Sequence, residues 1–236
     1  MILSKNKDYT LPVVIEPDDL HRIEEILQPL ATEFTYSIKC SDDYEREYQN
    51  LTDLLAFENT PGRQIIQLRI RLRPGTPRTS GLLRITSFTS GNVQLDFSGE
   101  ADAIAVPIQR LEEYLFGLQP WYSAFATTKG SWIACASSIL LAFANITMLL
   151  IVQSPEKQIP APWNAISQAV DLIIWSVLIW IIAYWVLRAK VFPMSTFCIG
   201  QGTKRYRTGD QVRWGVGIGF LVNLAAAIFL QFFISF

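Results

Sequence analysis

The sequence predicts a two-part fold: an α+β soluble head, with a mixed or antiparallel sheet carrying helices on one face, then an all-α three-helix transmembrane region. Three observations predict it. Stretches 131–152, 165–187 and 214–236 are apolar, and about 20 helical residues cross a ~30 Å hydrocarbon core. Residues 1–125 contain no such stretch and instead alternate between apolar and polar positions in several short runs. Glycine, proline and aspartate clusters punctuate those runs, as strand and helix boundaries require. The expected domains are therefore a head at 1–125 and a membrane region at 126–236, with a basic loop at 188–213.

Within the head, a first strand is expected over 11–15. Pro17, Asp18 and Asp19 then open a helix that places Leu20, Ile23, Leu27 and Leu30 on one face, because proline and acids suit a helix N-terminus. Phe34, Tyr36, Ile38 and Cys40 alternate as a strand, and 44–48 forms its hairpin partner across Ser41-Asp42-Asp43. A short helix follows Asn50, with Asp53 at the reciprocal capping position. The clearest strand pattern is Ile66, Leu68, Ile70 and Leu72, interleaved with Gln67, Arg69, Arg71 and Arg73. Strands over 82–88 and 93–97 follow, turning at Thr89-Ser90-Gly91-Asn92. The last helix, 104–118, carries Ile104, Ile108, Leu111, Leu115 and Leu118 on one stripe, and Pro107 marks the start of its regular part.

Charge distribution orients the membrane region. Arg188, Lys190, Lys204, Arg205, Arg207 and Arg213 crowd one connection, whereas the other has only Glu156 and Lys157. The positive-inside rule places the basic loop and the head in the cytoplasm, the 153–164 loop outside and Phe236 at the outer surface of a cell inner (plasma) membrane. Trp132, Tyr184, Trp185 and Trp214 fall at the inner ends, where interfacial aromatics belong. The N-terminal residues lack the apolar core of a signal peptide.

Candidate binding groups are cationic. No acid occurs between Asn59 and Leu95, yet six arginines do, and Arg69, Arg71 and Arg73 share one strand face. Such a face could bind phosphate, a nucleotide or nucleic acid. The plainer expectation is internal pairing, because residues 1–58 hold thirteen acids and five bases. Lys204, Arg205 and Arg207 follow the paired glycines Gly200 and Gly202, whose small size would let backbone amides approach a phosphate. Contact with anionic lipid headgroups accounts equally for those cations. In the expected spans, Gly215, Gly219 and Asn223 form one small-residue stripe, and Ser138 with Asn145 another. These stripes are expected to pack the first span against the third, or, with Ser176, to line a polar path in a homo-oligomer.

Catalysis finds little support. The chain has one histidine, His21, and three separated cysteines, Cys40, Cys135 and Cys198. No nucleophile–base set, metal site or cofactor is expected from them. Adjacent carboxylates such as Asp18-Asp19, Asp42-Asp43 and Glu112-Glu113 point apart on any regular element and suit solvated faces.

The Pro120-Trp121-Tyr122 exit and the run Phe192-Pro193, Phe197, Ile199-Gly200-Gln201-Gly202 and Arg205 are similar to those of bacterial membrane proteins with a cytosolic head and three C-terminal spans. The layout also resembles the membrane effectors of prokaryotic antiviral systems. That resemblance implies a signal-responsive, non-enzymatic effector or channel-like assembly, driven by a cytosolic protein or phosphorylated ligand. A passive scaffold that recruits a partner is the alternative expectation, and a membrane-bound enzyme the third.

Overall fold

The protein is represented by a computed structural model that describes residues 2–74, 79–87, 92–127, 174–175, 178, 182 and 191–234. They fall into two compact units, Met1–Pro120 with Ser195–Phe236, and Trp121–Met194.

The first unit is built on a six-stranded antiparallel sheet in the order β1-β7-β6-β5-β3-β4. Its strands are β1 (Ile2–Tyr9), β3 (Ala31–Cys40), β4 (Glu45–Tyr48), β5 (Ile65–Pro74), β6 (Ser80–Thr86) and β7 (Val93–Glu100). A separate parallel pair joins β2 (Val13–Ile15) to β8 (Ser195–Phe197). Helices α1 (Pro17–Leu27) and α3 (Ala101–Gly117), with the short α2 (Leu51–Leu55), supply the other half of the core. Leu20, Ile23 and Leu27 from α1 and Ile104, Ile108, Leu111 and Leu115 from α3 bury against Ile38, Leu68, Ile70, Leu83 and Leu95 of the sheet. The 3.6-residue and two-residue periods thus meet in one apolar layer.

Strand β1 was not expected, because ILSKNKDY has no apolar alternation. Its Lys5 and Lys7 are paired with Phe97 and Leu95 of β7 in register, and both ammonium groups reach Glu112 of α3, at 2.7 and 3.4 Å. The lysine stems cover apolar surface while their heads pair at its rim. Burial opposes ionisation of Glu112, but the hydrogen bond from Lys5 and the neighbouring Tyr9 and Lys7 outweigh it and hold its carboxyl below the ordinary value. A depressed folded-state value adds stability above the unfolded carboxylate pKa and loses it as pH falls through the folded value. Acid titration of thermal stability should therefore show a decline below the ordinary carboxylate range, of about 1 kcal/mol from this pair. Glu112→Gln should flatten that part of the curve; an unchanged profile would remove Glu112 from the acid response.

Helix α3 begins at Ala101 and carries Pro107 inside it, earlier than expected. Proline there leaves only the carbonyl four residues back without its helical partner, and Ala103 is exposed to water. Asn50 caps α2 by position, although its side chain makes no capping bond and instead lies 3.4 Å from Asp53 Oδ2. The expected turn at 89–91 lies outside the described residues.

After β8 the chain forms α5 (Gln201–Ile234). The expected all-α three-helix transmembrane region is corrected here: among the described residues, no helix is long and apolar enough to cross a membrane. The apolar stretch read over 214–236 belongs to a longer helix with a charged N-terminal part. A hydropathy reading isolates 214–236, but the helix starts among Lys204, Arg205, Arg207, Asp210 and Arg213. Arg213 is buried, lies 3.5 Å from Asp210 and sits 5.4 Å over the Tyr206 ring. Positions 131–152 lie outside the described residues, as does most of 165–187.

In the second unit, Trp121 and Tyr122 precede the short α4 (Ser123–Ala126). Tyr122 is buried, edge-on to Trp121 at 5.9 Å and 5.8 Å from the Phe192 ring.

Candidate functional site

The principal polar centre of the first unit is a buried asparagine junction that ties residues 195–205 to the sheet domain. Asn59 follows α2 and occupies the left-handed region at φ 48°, a conformation that asparagine tolerates better than most residues. Its side-chain nitrogen donates to the carbonyls of Phe197 and Ile199, both at 3.1 Å. Its side-chain oxygen accepts from the Ile65 amide at 3.1 Å and from Arg205 at 2.9 Å. Arg205 also donates to the Asn59 carbonyl at 2.7 Å. The amide orientation follows from its neighbours, since carbonyls only accept and Ile65 N–H and Arg205 only donate.

Close approach makes this possible. Gly200 sits at φ +52°, where an added Cβ would meet the backbone of Phe57 and Glu58, and the Gln201 amide donates to the Glu58 carbonyl at 2.8 Å. A Cβ on Gly202 would run into the Phe197 carbonyl and the Asn59 amide. Asn92 is the second buried tie: it donates to Ser195 Oγ at 3.0 Å and to the Leu11 carbonyl, and accepts from the Leu11 amide at 2.7 Å. The Cys198 amide donates to Ile15 at 2.8 Å, continuing the β2–β8 pairing. Burial, with Glu16 and Asp19 nearby, pushes the Cys198 thiol up to about 12. Beside Asn59 lies an open pocket of about 320 Å³, whose lining includes Tyr48, Asp53, Glu58 and Arg63.

The expected binding residues divide accordingly. Arg205 is half-buried and committed to Asn59, and burial lowers its pKa. Lys204 and Arg207 are exposed on the first turns of α5. Arg69, Arg71 and Arg73 do share the sheet face opposite the helices. There Arg69 pairs with Glu45 at 2.6 Å and Arg73 with Glu33 at 3.5 Å, while Arg71 is exposed. Register on that face places Arg84 of β6 between Arg69 of β5 and Gln94 of β7, and Leu82 between Arg71 and Asp96.

Gly215 and Gly219 lie on α5, where an added Cβ would meet none of the described residues within 4 Å. Asn223 belongs to the same helix. Ser138, Asn145 and Ser176 lie outside the described residues. Among the described residues no group of three or more His, Cys, Asp or Glu is arranged to hold a metal.

Sequence reasoning saw the paired glycines and inferred a close backbone approach. It missed what approaches: the backbone after α2 takes the place assigned to a phosphate. An asparagine ahead of Thr60-Pro61-Gly62 reads as a turn residue, so only the glycines signalled the junction. No protein-family model, curated protein or solved structure matches this chain.

Proposed function

We propose that the protein is a non-enzymatic sensor at a membrane, in which the sheet domain receives a partner and passes the event through the Asn59 junction to α5. The observation that carries this reading is the junction itself. Four hydrogen bonds between Asn59 and Phe197, Ile199 and Arg205 fix the start of α5 to the loop after α2, and a fifth, donated by the Ile65 amide, holds Asn59 in the sheet domain. A passive tether would need none of them. Buried polar networks have two well-defined conditions, satisfied or broken, which suits a two-state relay. The apolar composition of 131–152 and 165–187 and the cations preceding α5 support the membrane location. Self-association along α5, through the small-residue stripe of Gly215 and Gly219, is the proposed output.

The test couples junction opening to membrane state. Cys198 is 1% exposed and poorly ionised, so it should resist alkylation in the closed form and label in the open one. Peptide-resolved mass spectrometry would separate it from Cys40 and Cys135. Cells expressing Asn59→Gly or Gly202→Ala should label at Cys198 and depolarise, as read by a voltage-sensitive dye, while wild-type cells do neither. Variants that label at Cys198 and accumulate at wild-type levels, yet leave cells polarised, would refute the effector reading in favour of a scaffold.

A further inference from the structure

We propose that the groove between α1 and the uncovered edge of β3 binds an extended basic peptide segment of a partner protein, adding it to the sheet as a further strand. The inference names the input to the sensing reading above, and rests on that reading only for its downstream consequence.

The sheet ends in β4, yet β4 pairs with β3 only from Tyr36 to Lys39, while β3 begins at Ala31. Hydrogen-bond phase identifies the uncovered groups. The Cys40 amide donates to the Tyr44 carbonyl across the hairpin at 3.1 Å, so even-numbered residues of this part of β3 turn their backbone groups toward β4. Tyr36 is the last of them to have a partner strand, because Tyr48 ends β4 opposite it. Phe34 therefore presents its N–H and C=O outward beyond the end of β4. Edges of this kind accept an added strand through main-chain bonds, with alternate side chains read by pockets.

A cavity of about 940 Å³ lies along that edge, lined by Glu24 of α1, Gln28 just after it, Glu33, Phe34 and Tyr36 of β3, and Asn50 at the start of α2. Its size falls in the ~300–1,000 Å³ range of ligand sites. The floor is aromatic, with Phe34 and Tyr36 rings stacked 6.3 Å apart. Tyr36 is 1% exposed, and its buried hydroxyl faces the Glu24 carboxylate of α1. Charge selects the class of peptide: Glu24 lines the groove, as does Glu33, whose carboxylate also pairs with Arg73, and among the described residues no lysine or arginine lines it, so that His21 is the one basic side chain there. Helix α1 walls one side, which favours a single extended strand over a second sheet. From the groove, α2 leads directly to Phe57, Glu58 and Asn59, so a peptide pressing on Asn50 acts on the element that positions the junction.

The experiment pans a displayed library of random 12-residue peptides against the full-length protein in mild detergent, then measures synthetic copies of the enriched peptides by fluorescence anisotropy. Enriched peptides should carry Lys or Arg and bind Glu24→Lys at least 10-fold more weakly. N-methylation of alternate backbone amides should cost at least 10-fold while a non-methylated control binds normally, and exchange of the Phe34 amide should slow in the complex. No enrichment, peptides indifferent to Glu24→Lys, or full tolerance of N-methylation would overturn the proposal. So would a doubled native mass that Glu24→Lys abolishes, since the edge would then pair with a second copy. Peptide binding without a change in Cys198 labelling would keep the groove and reject the relay; depolarisation by Asn59→Gly together with no peptide enriched in the panning would keep the relay and reject the groove.

Discussion

Asn59→Ala is expected to release residues 195–205 from the sheet domain and to lower stability by about 4 kcal/mol. The substitution strands the Ile65 amide and the Phe197 and Ile199 carbonyls in a buried setting, and an orphaned buried group costs roughly 1–3 kcal/mol. Arg205 loses an acceptor as well. Against the ~5–15 kcal/mol of a typical domain this is a large fraction, and it corresponds to a fall of about 10 °C in thermal midpoint for a chain of this size. Backbone strain adds to it, since alanine at φ 48° costs on the order of 1 kcal/mol more than glycine. Asn59→Gly isolates the hydrogen-bond contribution, because it keeps the left-handed backbone and removes the amide. Thermal denaturation with Cys198 alkylation in the same samples measures both effects. A midpoint within 2 °C of wild type, with Cys198 still protected, would show that the junction contributes little.

The second large effect is expected at Gly202. Within a helix, glycine to alanine ordinarily stabilises by roughly 0.5–1 kcal/mol. At Gly202 the sign reverses, because the new Cβ meets the Phe197 carbonyl and the Asn59 amide nitrogen, which lies 2.5 Å away. Neither is the free end of a flexible chain, so the N-terminus of α5 must lift. Overpacking of this kind costs about 1–3 kcal/mol. Gly209 is the internal control: its Cβ would meet only the Arg213 guanidinium at 3.4 Å, so Gly209→Ala should be neutral or mildly stabilising. Equal behaviour of the two variants in a denaturation series would mean that α5 does not seat against the loop after α2.

Much of the sheet was legible because its apolar positions alternate. Leu68, Ile70 and Leu72 are buried as their spacing required, and the Ile65/Gln67 irregularity in the register with β3 explains why Ile65, not Ile66, is buried there. The helices were legible from their stripes. Strand β1 was hidden by Lys5 and Lys7, which fill inward positions with stems and not with apolar residues. β8 was hidden by its length, since Ser-Thr-Phe has no period to read. The transmembrane architecture was read from composition alone, and a composition window does not mark where a helix begins: α5 starts at Gln201, ahead of the apolar stretch at 214. Of the site, the glycines were visible as a backbone-approach signal. Asn59 was not, because nothing local distinguishes a buried bridging amide from an exposed turn.

The parallel pairing of β2 with β8 also dictates an order of assembly. Val13–Ile15 finds its strand partner only when Ser195–Phe197 has been made, and Asn59 waits for carbonyls separated from it by 138 and 140 positions. Contacts so distant in sequence close slowly and late. Until then the strand edge at Val13 and the amides of Asn59 and Asn92 stand without those partners, so the sheet domain completes its core only after most of the chain behind it exists. A chain cut before Ser195 would leave Val13–Ile15 without a parallel partner and the Asn59 and Asn92 amides short of acceptors in the core.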